Sequence, residues 1–220
     1  MLFLRRFMLL SGWLAATAGG ALAGPPEDFA AGEAAFRQGD VRGAIARLKA
    51  AADAGHPKAQ ALLGTILDRA ERDEEAVRYF RLAADQNDAD GAYGLAGMYA
   101  SGEGVPRDIA QARQWMEKAA SLGHRDAVNT LATAYLRGGL GVSEPERSSP
   151  AALDWIRRAA EGGHLPALER LALAYRKGEL GLVADSKVAD ELDARVRKIR
   201  GVSTKPQAPR KSPPRQPGNG

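Results

Sequence analysis

Small and apolar residues return along the chain at helical spacing. Ala127, Leu131 and Tyr135 stand at i, i+4 and i+8, and Ala112, Met116 and Ala120 do the same, which puts each trio on one face of a helix. Gly55, Gly123 and Gly163 sit where such a face runs out, and glycine takes the left-handed cap conformation at little cost. Pro57 and Pro166 follow at the first turn of the next helix, where a missing N–H does no harm. No stretch alternates with period two for long enough to make a strand. The pattern predicts an all-α chain of ten helices in five antiparallel pairs. These are 26–38 with 40–53, 57–70 with 72–86, 89–100 with 107–122, 125–137 with 150–162, and 165–177 with 185–200.

The pairs are copies of one unit. The strings that begin Ala51-Ala52, Ala83-Ala84, Ala119-Ala120 and Ala159-Ala160 align, with starts 32, 36 and 40 residues apart. A second block, beginning at Leu63, Leu95, Leu131 and Leu171, keeps the same spacing. Two blocks that move in step mark a tandem repeat. The length steps fall in loops, which absorb them cheaply. Residues 143–150 insert between Tyr135 and Trp155, and a glycine-rich loop is missing between Leu67 and Tyr79. Trp115 and Trp155 share a repeat position with Tyr79, and an aromatic there should fill the gap between neighbouring pairs. No pair can bury its apolar face alone, so stability is a sum over units and their interfaces.

The central units resemble a known repeat. Leu95-Ala96, Met98-Tyr99, Gly102, Gly104-Val105 and Asp108, then Ala112, Trp115, Lys118-Ala119-Ala120, Gly123-His124 and Ala127, are similar to the Sel-one-like repeat, a branch of the tetratricopeptide-like superfamily. Tyr135, Gly138, Gly141-Val142, Ala152, Trp155, Ala159-Ala160, Gly163-His164 and Ala167 repeat the pattern around the insertion. The resemblance covers about residues 31–200, with a plainer first unit, a second that lacks the glycine loop and a degenerate fifth. It implies a right-handed α–α superhelix, a solenoid, that binds a protein or peptide on its concave face. It also implies an exported adaptor or regulator in envelope signalling or exopolysaccharide control. A cell-wall or β-lactam hydrolase and a structural or host-directed secreted factor are the alternatives that come with it.

The ends change the picture of where such a solenoid would work. Arg5 and Arg6, the apolar run from Phe7 to about Ala18, and Ala21-Leu22-Ala23 read as a signal peptide over residues 1–23, cleaved after Ala23. The run is too short to span a bilayer. The expected location is therefore periplasmic or secreted, with no integral membrane segment once the signal is removed. The chain has no cysteine, so no disulfide staples the fold. Residues 24–200 form the expected solenoid and carry 25 basic and 27 acidic residues, near neutral, which argues against nucleic acid as a partner. Residues 201–220 hold five prolines, four basic residues and no acid. That composition predicts a disordered tail able to make weak contact with anionic envelope polymers.

Candidate chemistry is thin. The common nucleophile and zinc-protease motifs are missing, and the glycine loops follow helices and lack the lysine and threonine of a phosphate loop. His56, His124 and His164 recur at one turn position, so successive copies stand about 10 Å apart, too far to share an ion. They are expected to be turn residues with ring contacts. The sequence offers no catalytic, cofactor or metal set, and the expected site is a surface for a protein partner. The first helix of each unit should line the concave face, which makes Tyr93, Asn129, Thr133, Glu169 and Leu173, opposite the core stripe, and Arg137 and Arg176, near the helix ends, the candidate binding residues.

Overall fold

The computed structural model describes residues 24–201 of the 220-residue chain. The expected signal at 1–23, and all of the expected tail but Gly201, lie outside the described residues. Ten α-helices follow in order: α1 (Pro25–Arg37), α2 (Val41–Asp53), α3 (Pro57–Arg69), α4 (Asp73–Asp85), α5 (Ala89–Ser101), α6 (Ile109–Ser121), α7 (Arg125–Arg137), α8 (Pro150–Glu161), α9 (Leu165–Lys177) and α10 (Ser186–Ile199). Among the described residues there is no strand. Each odd helix packs on the even helix after it, and each even helix on the next odd one, so the five pairs stack in series as an α-solenoid.

The sequence places every helix to within two residues, and most of the excess falls on cap residues, Asp40, Arg72, Asp108 and Asp185 at N-terminal ends among them. The pattern counts Gln38, Ala70, Gln86, Leu122, Gly162 and Arg200 as helical, whereas each is the C-cap. Such a residue still hydrogen-bonds back into the helix while standing outside it. At the other ends, side chains close the first turn. Asp40, Asp88, Asp108, Ser149 and Asp185 accept from Gly43, Gly91, Gln111, Ala152 and Val188 backbone N–H groups.

The core is a row of alanines and leucines. Ala44, Leu48, Leu63, Leu95, Leu131 and Leu168 are fully buried. Alanine lets helices come close, and at the junction of α4 and α5 even alanine is too large. A Cβ on Gly91 would lie 2.4 Å from the Ala83 Cβ and 2.9 Å from the Ala84 nitrogen. The interior divides at α7. Leu131 closes one apolar cluster that runs back to Ala44, while its neighbour Ala132 belongs to another that runs on to Val196.

The insertion is not slack. Pro145–Ser148 winds into a single 3-10 turn that the sequence did not predict. Arg147 from that turn donates to the Leu136 carbonyl at 2.8 Å, covering the open end of α7. Glu146 accepts from the Ser143 hydroxyl at 2.7 Å and its N–H at 2.8 Å, and from Arg113 of α6 at 2.9 Å. Those hydrogen bonds, the ones from Ser143 foremost, pull the Glu146 carboxyl down to about 2. Arg113 also donates to the Tyr135 hydroxyl at 2.6 Å.

Candidate functional site

Odd-numbered helices lie nearer one another than even-numbered ones do. α1 touches α3, α3 touches α5, and α7 touches α9; of the odd helices only α5 and α7 lack a comparable contact, whereas no two successive even helices touch to that extent. The odd helices are therefore the inner row of the stack, and their outward positions line its inner face. Two adjoining concavities open there and share Tyr93. One, of about 490 Å³, runs between Tyr93 on α5 and Asn129, Thr133 and the Gly138–Leu140 loop of α7. The other, of about 600 Å³, lies over α3, walled by Phe29 on one side and Tyr93 and His124 on the other, with Ala61, Leu62 and Phe80 among its lining.

Histidine builds the walls. His56 and His124 each cap the next odd helix, Nδ1 accepting at 3.2 Å from the Ala59 and Ala127 N–H. Each ring also stacks on an aromatic from the preceding odd helix. Phe29 and His56 lie 4.7 Å apart by centroid, and Tyr93 and His124 lie 4.2 Å apart. In the unit between, the same positions hold Ala61 and Asp88, so a ring pair is missing there and the space becomes the larger concavity. The expected ring contacts are thus present at two of the three histidines. At the third, Asn129 stands where the aromatic would be. His164 makes no side-chain cap bond, its Nδ1 is buried without a partner, and burial, with Arg137 next, lowers its pKa. Among the described residues no three histidine or carboxylate side chains gather as metal ligands.

The face is uneven in charge. Asp68, Asp90 and Glu33 line the larger concavity, against one cation, Lys58. Burial, then the charges of Glu103 and Asp73, raises the Asp68 pKa, and no cation pairs with it among the described residues. Asp90 meets the His124 Nε2 at 3.3 Å.

Of the residues expected on the binding face, Tyr93, Asn129 and Thr133 converge on the smaller concavity. The other four stand elsewhere. Arg137 is exposed at the end of α7. Leu173 is exposed on α9, away from either concavity. Arg176 pairs with Asp190, at 3.0 Å, and with Asp193, while Glu169 pairs with Arg200, so both hold α10 and the chain after it against α9.

A second row of contacts has a weak sequence signal, the basic residue immediately before Ala119-Ala120 and Ala159-Ala160, with Arg195 at the corresponding place before Val196 in the last helix. Lys118 donates to the Ala84 carbonyl at 2.7 Å, Arg158 to Ala120 at 2.8 Å and Arg195 to Ala160 at 2.8 Å. Each cation closes the carbonyl end of the preceding even helix, where its charge also suits the helix dipole. Trp115 and Trp155, packed against the core but partly exposed, carry Lys118 and Arg158 over their rings at 5.0 and 4.4 Å. The expected aromatic position is therefore both a filler and a rest for the cation. In the second unit Leu82 replaces the cation, and Gln60, buried, reaches the Ala52 carbonyl instead at 3.0 Å.

The Sel1 repeat family matches residues 57–88, 89–124 and 126–164, the three central pairs. Among solved structures, c5321, a protective antigen of uropathogenic Escherichia coli with an SLR fold, superposes with a TM-score of 0.68 and 30% identity, covering 80% of this chain and 38% of that one. A Sel1 repeat protein from Oxalobacter formigenes gives a TM-score of 0.62 and 31% identity over 71% of this chain and 45% of that one. DAP3-binding cell death enhancer 1 from Rattus norvegicus is 35% identical over 94 residues, 42% of this chain and 18% of the relative. The chain thus spans less than half the length of each of these relatives. No helix among the described residues is long and apolar enough to cross a membrane. With three matched repeats and two similar solved folds that cover 80% and 71% of it, this chain is a Sel1-like repeat protein.

Proposed function

We propose that the chain is a scaffold that holds a segment of a protein partner along its inner face, and that it does so in the bacterial periplasm. Sel1 repeats mediate protein–protein interaction, and the fold is a scaffold for it. The observation that carries the reading is the continuous inner groove, where Tyr93 joins two concavities that offer rings and carboxylates to an extended chain. Grooves with aromatic walls and a polar rim suit peptide anchors better than they suit small substrates. The rat relative is named for binding a protein, which is in keeping with the reading. The periplasmic part, and with it a role in envelope signalling or exopolysaccharide control, rests on the signal-like residues 1–23 and on family resemblance.

Photo-crosslinkers placed at Asn129 and Thr133 in living cells test both parts. The expected result is a discrete adduct from the periplasmic fraction that is lost with Tyr93→Ala. Adducts of equal yield from a crosslinker on the outer row, at Arg157, would refute the inner face as the site. A mature N-terminus other than Gly24 and recovery in the cytoplasm would refute export.

A further inference from the structure

The larger concavity has chemistry that matches a segment of this same chain. Its walls are the Phe29 and Tyr93 rings, Leu62 and Phe80 lie beneath, and Asp68 and Asp90 are carboxylates without a lysine or arginine partner among the described residues. Lys58 is the one basic side chain on that lining. Residues 202–220 supply the complement: five prolines, the cations Lys205, Arg210, Lys211 and Arg215, and no acid. Proline rings pack on aromatic faces and lose little freedom in doing so, because φ is already fixed. Guanidinium groups pair with carboxylates in a planar fork.

The place where the chain leaves the stack also fits. Ile199, at the end of α10, lies beside Gly163, its Cδ1 3.7 Å from where a Cβ there would sit, and Arg200 pairs with Glu169 on α9. The last described residues therefore stand at the edge formed by the first turns of the odd helices, the edge that also holds His164, His124 and Asp90. Asp90, on α5, is two units back from the last pair and Phe29, on α1, is four, roughly 20 and 40 Å at about 10 Å per packed pair. A proline-rich chain extends by about 3.1 Å per residue. At that extension some seven to thirteen residues after Gly201 would match those distances, which puts Pro209-Arg210-Lys211 and Pro213-Pro214 within reach of the groove. A tether this short holds a ligand at an effective concentration on the order of millimolar, enough for a contact that would be weak between separate molecules.

We propose that residues 202–220 occupy the inner groove of their own chain, prolines against Phe29 and Tyr93 and basic side chains against Asp68 and Asp90, so that a partner must displace them to bind. The inference rests on the reading of the inner face as the partner site and adds its regulation. A partner that competes with an internal occupant binds more weakly by the fraction of time the groove is filled.

The absence of cysteine permits a clean test in the full chain. A nitroxide on Gln216→Cys should erase the ring NMR signals of Phe29 and Tyr93, with recovery when the label is reduced. The loss should be the same at all protein concentrations and should shrink in Asp68→Asn/Asp90→Asn. Ring signals that persist beside the oxidised label overturn the proposal. So does a loss seen only when labelled and unlabelled copies are mixed, which would make the occupant a second copy, and so does a label that responds only to added anionic polymer. Separately, changing Lys205, Arg210, Lys211 and Arg215 to glutamate should raise adduct yield at Asn129 several-fold. If ring signals persist while Tyr93→Ala still abolishes the adduct, the groove stands and its internal occupant falls. If the signals vanish while Tyr93→Ala leaves the adduct unchanged, the groove serves only the tail and the partner site lies elsewhere.

Discussion

Tyr93 lies flat against His124, ring centroids 4.2 Å apart and planes 14° from parallel, so one side chain both lines the groove and steadies the cap of α7. Binding and stability are coupled through it. Tyr93→Phe keeps the stack and should leave both nearly unchanged. Tyr93→Ala should cost about 1–2 kcal/mol, since stacked pairs contribute roughly 0.5–1.5 kcal/mol beyond the area they bury, and should also lose the partner. Urea unfolding of both variants checks the first effect, and crosslinking the second. Equal stability of the two variants would mean that the stack does not support the cap.

The cations between units should be worth more than surface charges. Arg158→Ala leaves the Ala120 carbonyl without its donor and uncovers one face of Trp155. A hydrogen bond from a charged group contributes about 1.5–3 kcal/mol, and that is the expected loss in urea unfolding. Arg158→Lys should restore most of it, as Lys118 does the same work one unit earlier. A loss under about 0.5 kcal/mol, the usual size of an exposed pair, would demote the contact to ornament.

Two glycines on one helix should respond in opposite directions. At Gly91 an added methyl collides with Ala83, and Gly91→Ala should destabilise by about 1–3 kcal/mol through overpacking. At Gly97, on the inner face of α5, a methyl meets open space. Gly97→Ala should therefore stabilise by roughly 0.5–1 kcal/mol through lost freedom of the unfolded chain. Thermal melts of both variants would decide, and a shared sign would contradict the packing described for α4 and α5.

His164 gives the fold an acid-sensitive point. Burial first, and Arg137 second, holds its pKa below the ordinary histidine value. As pH falls below about 6.5 the unfolded chain takes up the proton before the folded one does, so stability drops through that window down to the folded pKa. His164→Asn cannot titrate and can accept from the Ala167 N–H, as good N-caps do. The variant should lose part of the decline in Tm between about pH 7 and pH 5 while staying at least as stable at pH 7. A decline as steep as in the parent chain would clear His164 of the effect.

The repeat, the pairing and the helix bounds were all readable in the sequence because they follow from local periodicity and from alanine, glycine and proline at fixed steps. Tyr93, Asn129 and Thr133 were readable as inner-face residues by the same rule, being opposite the core stripe. Glu169 answers to that rule too, and Arg176 was expected from its place near the helix end, yet the structure ties them to Arg200 and to Asp190 and Asp193. The periodicity of α9 says nothing about which charges α10 and its end bring alongside. The 3-10 turn was hidden for a similar reason. Arg147 is useful only because α7 leaves the Leu136 carbonyl open and Arg113 of α6 waits for Glu146. The gap over Ala61 could have been found by setting the histidine and aromatic positions side by side, since Phe29 with His56 and Tyr93 with His124 frame the unit that lacks both.

Lys118, Arg158 and Arg195 all reach backwards, from a later hairpin to the closing carbonyls of the one before it. A ribosome delivers the earlier hairpin first. Each newcomer therefore meets a finished socket and brings its own peg, and nothing already built has to wait for chain still unmade. Construction can run one way, hairpin by hairpin, at the pace of translation.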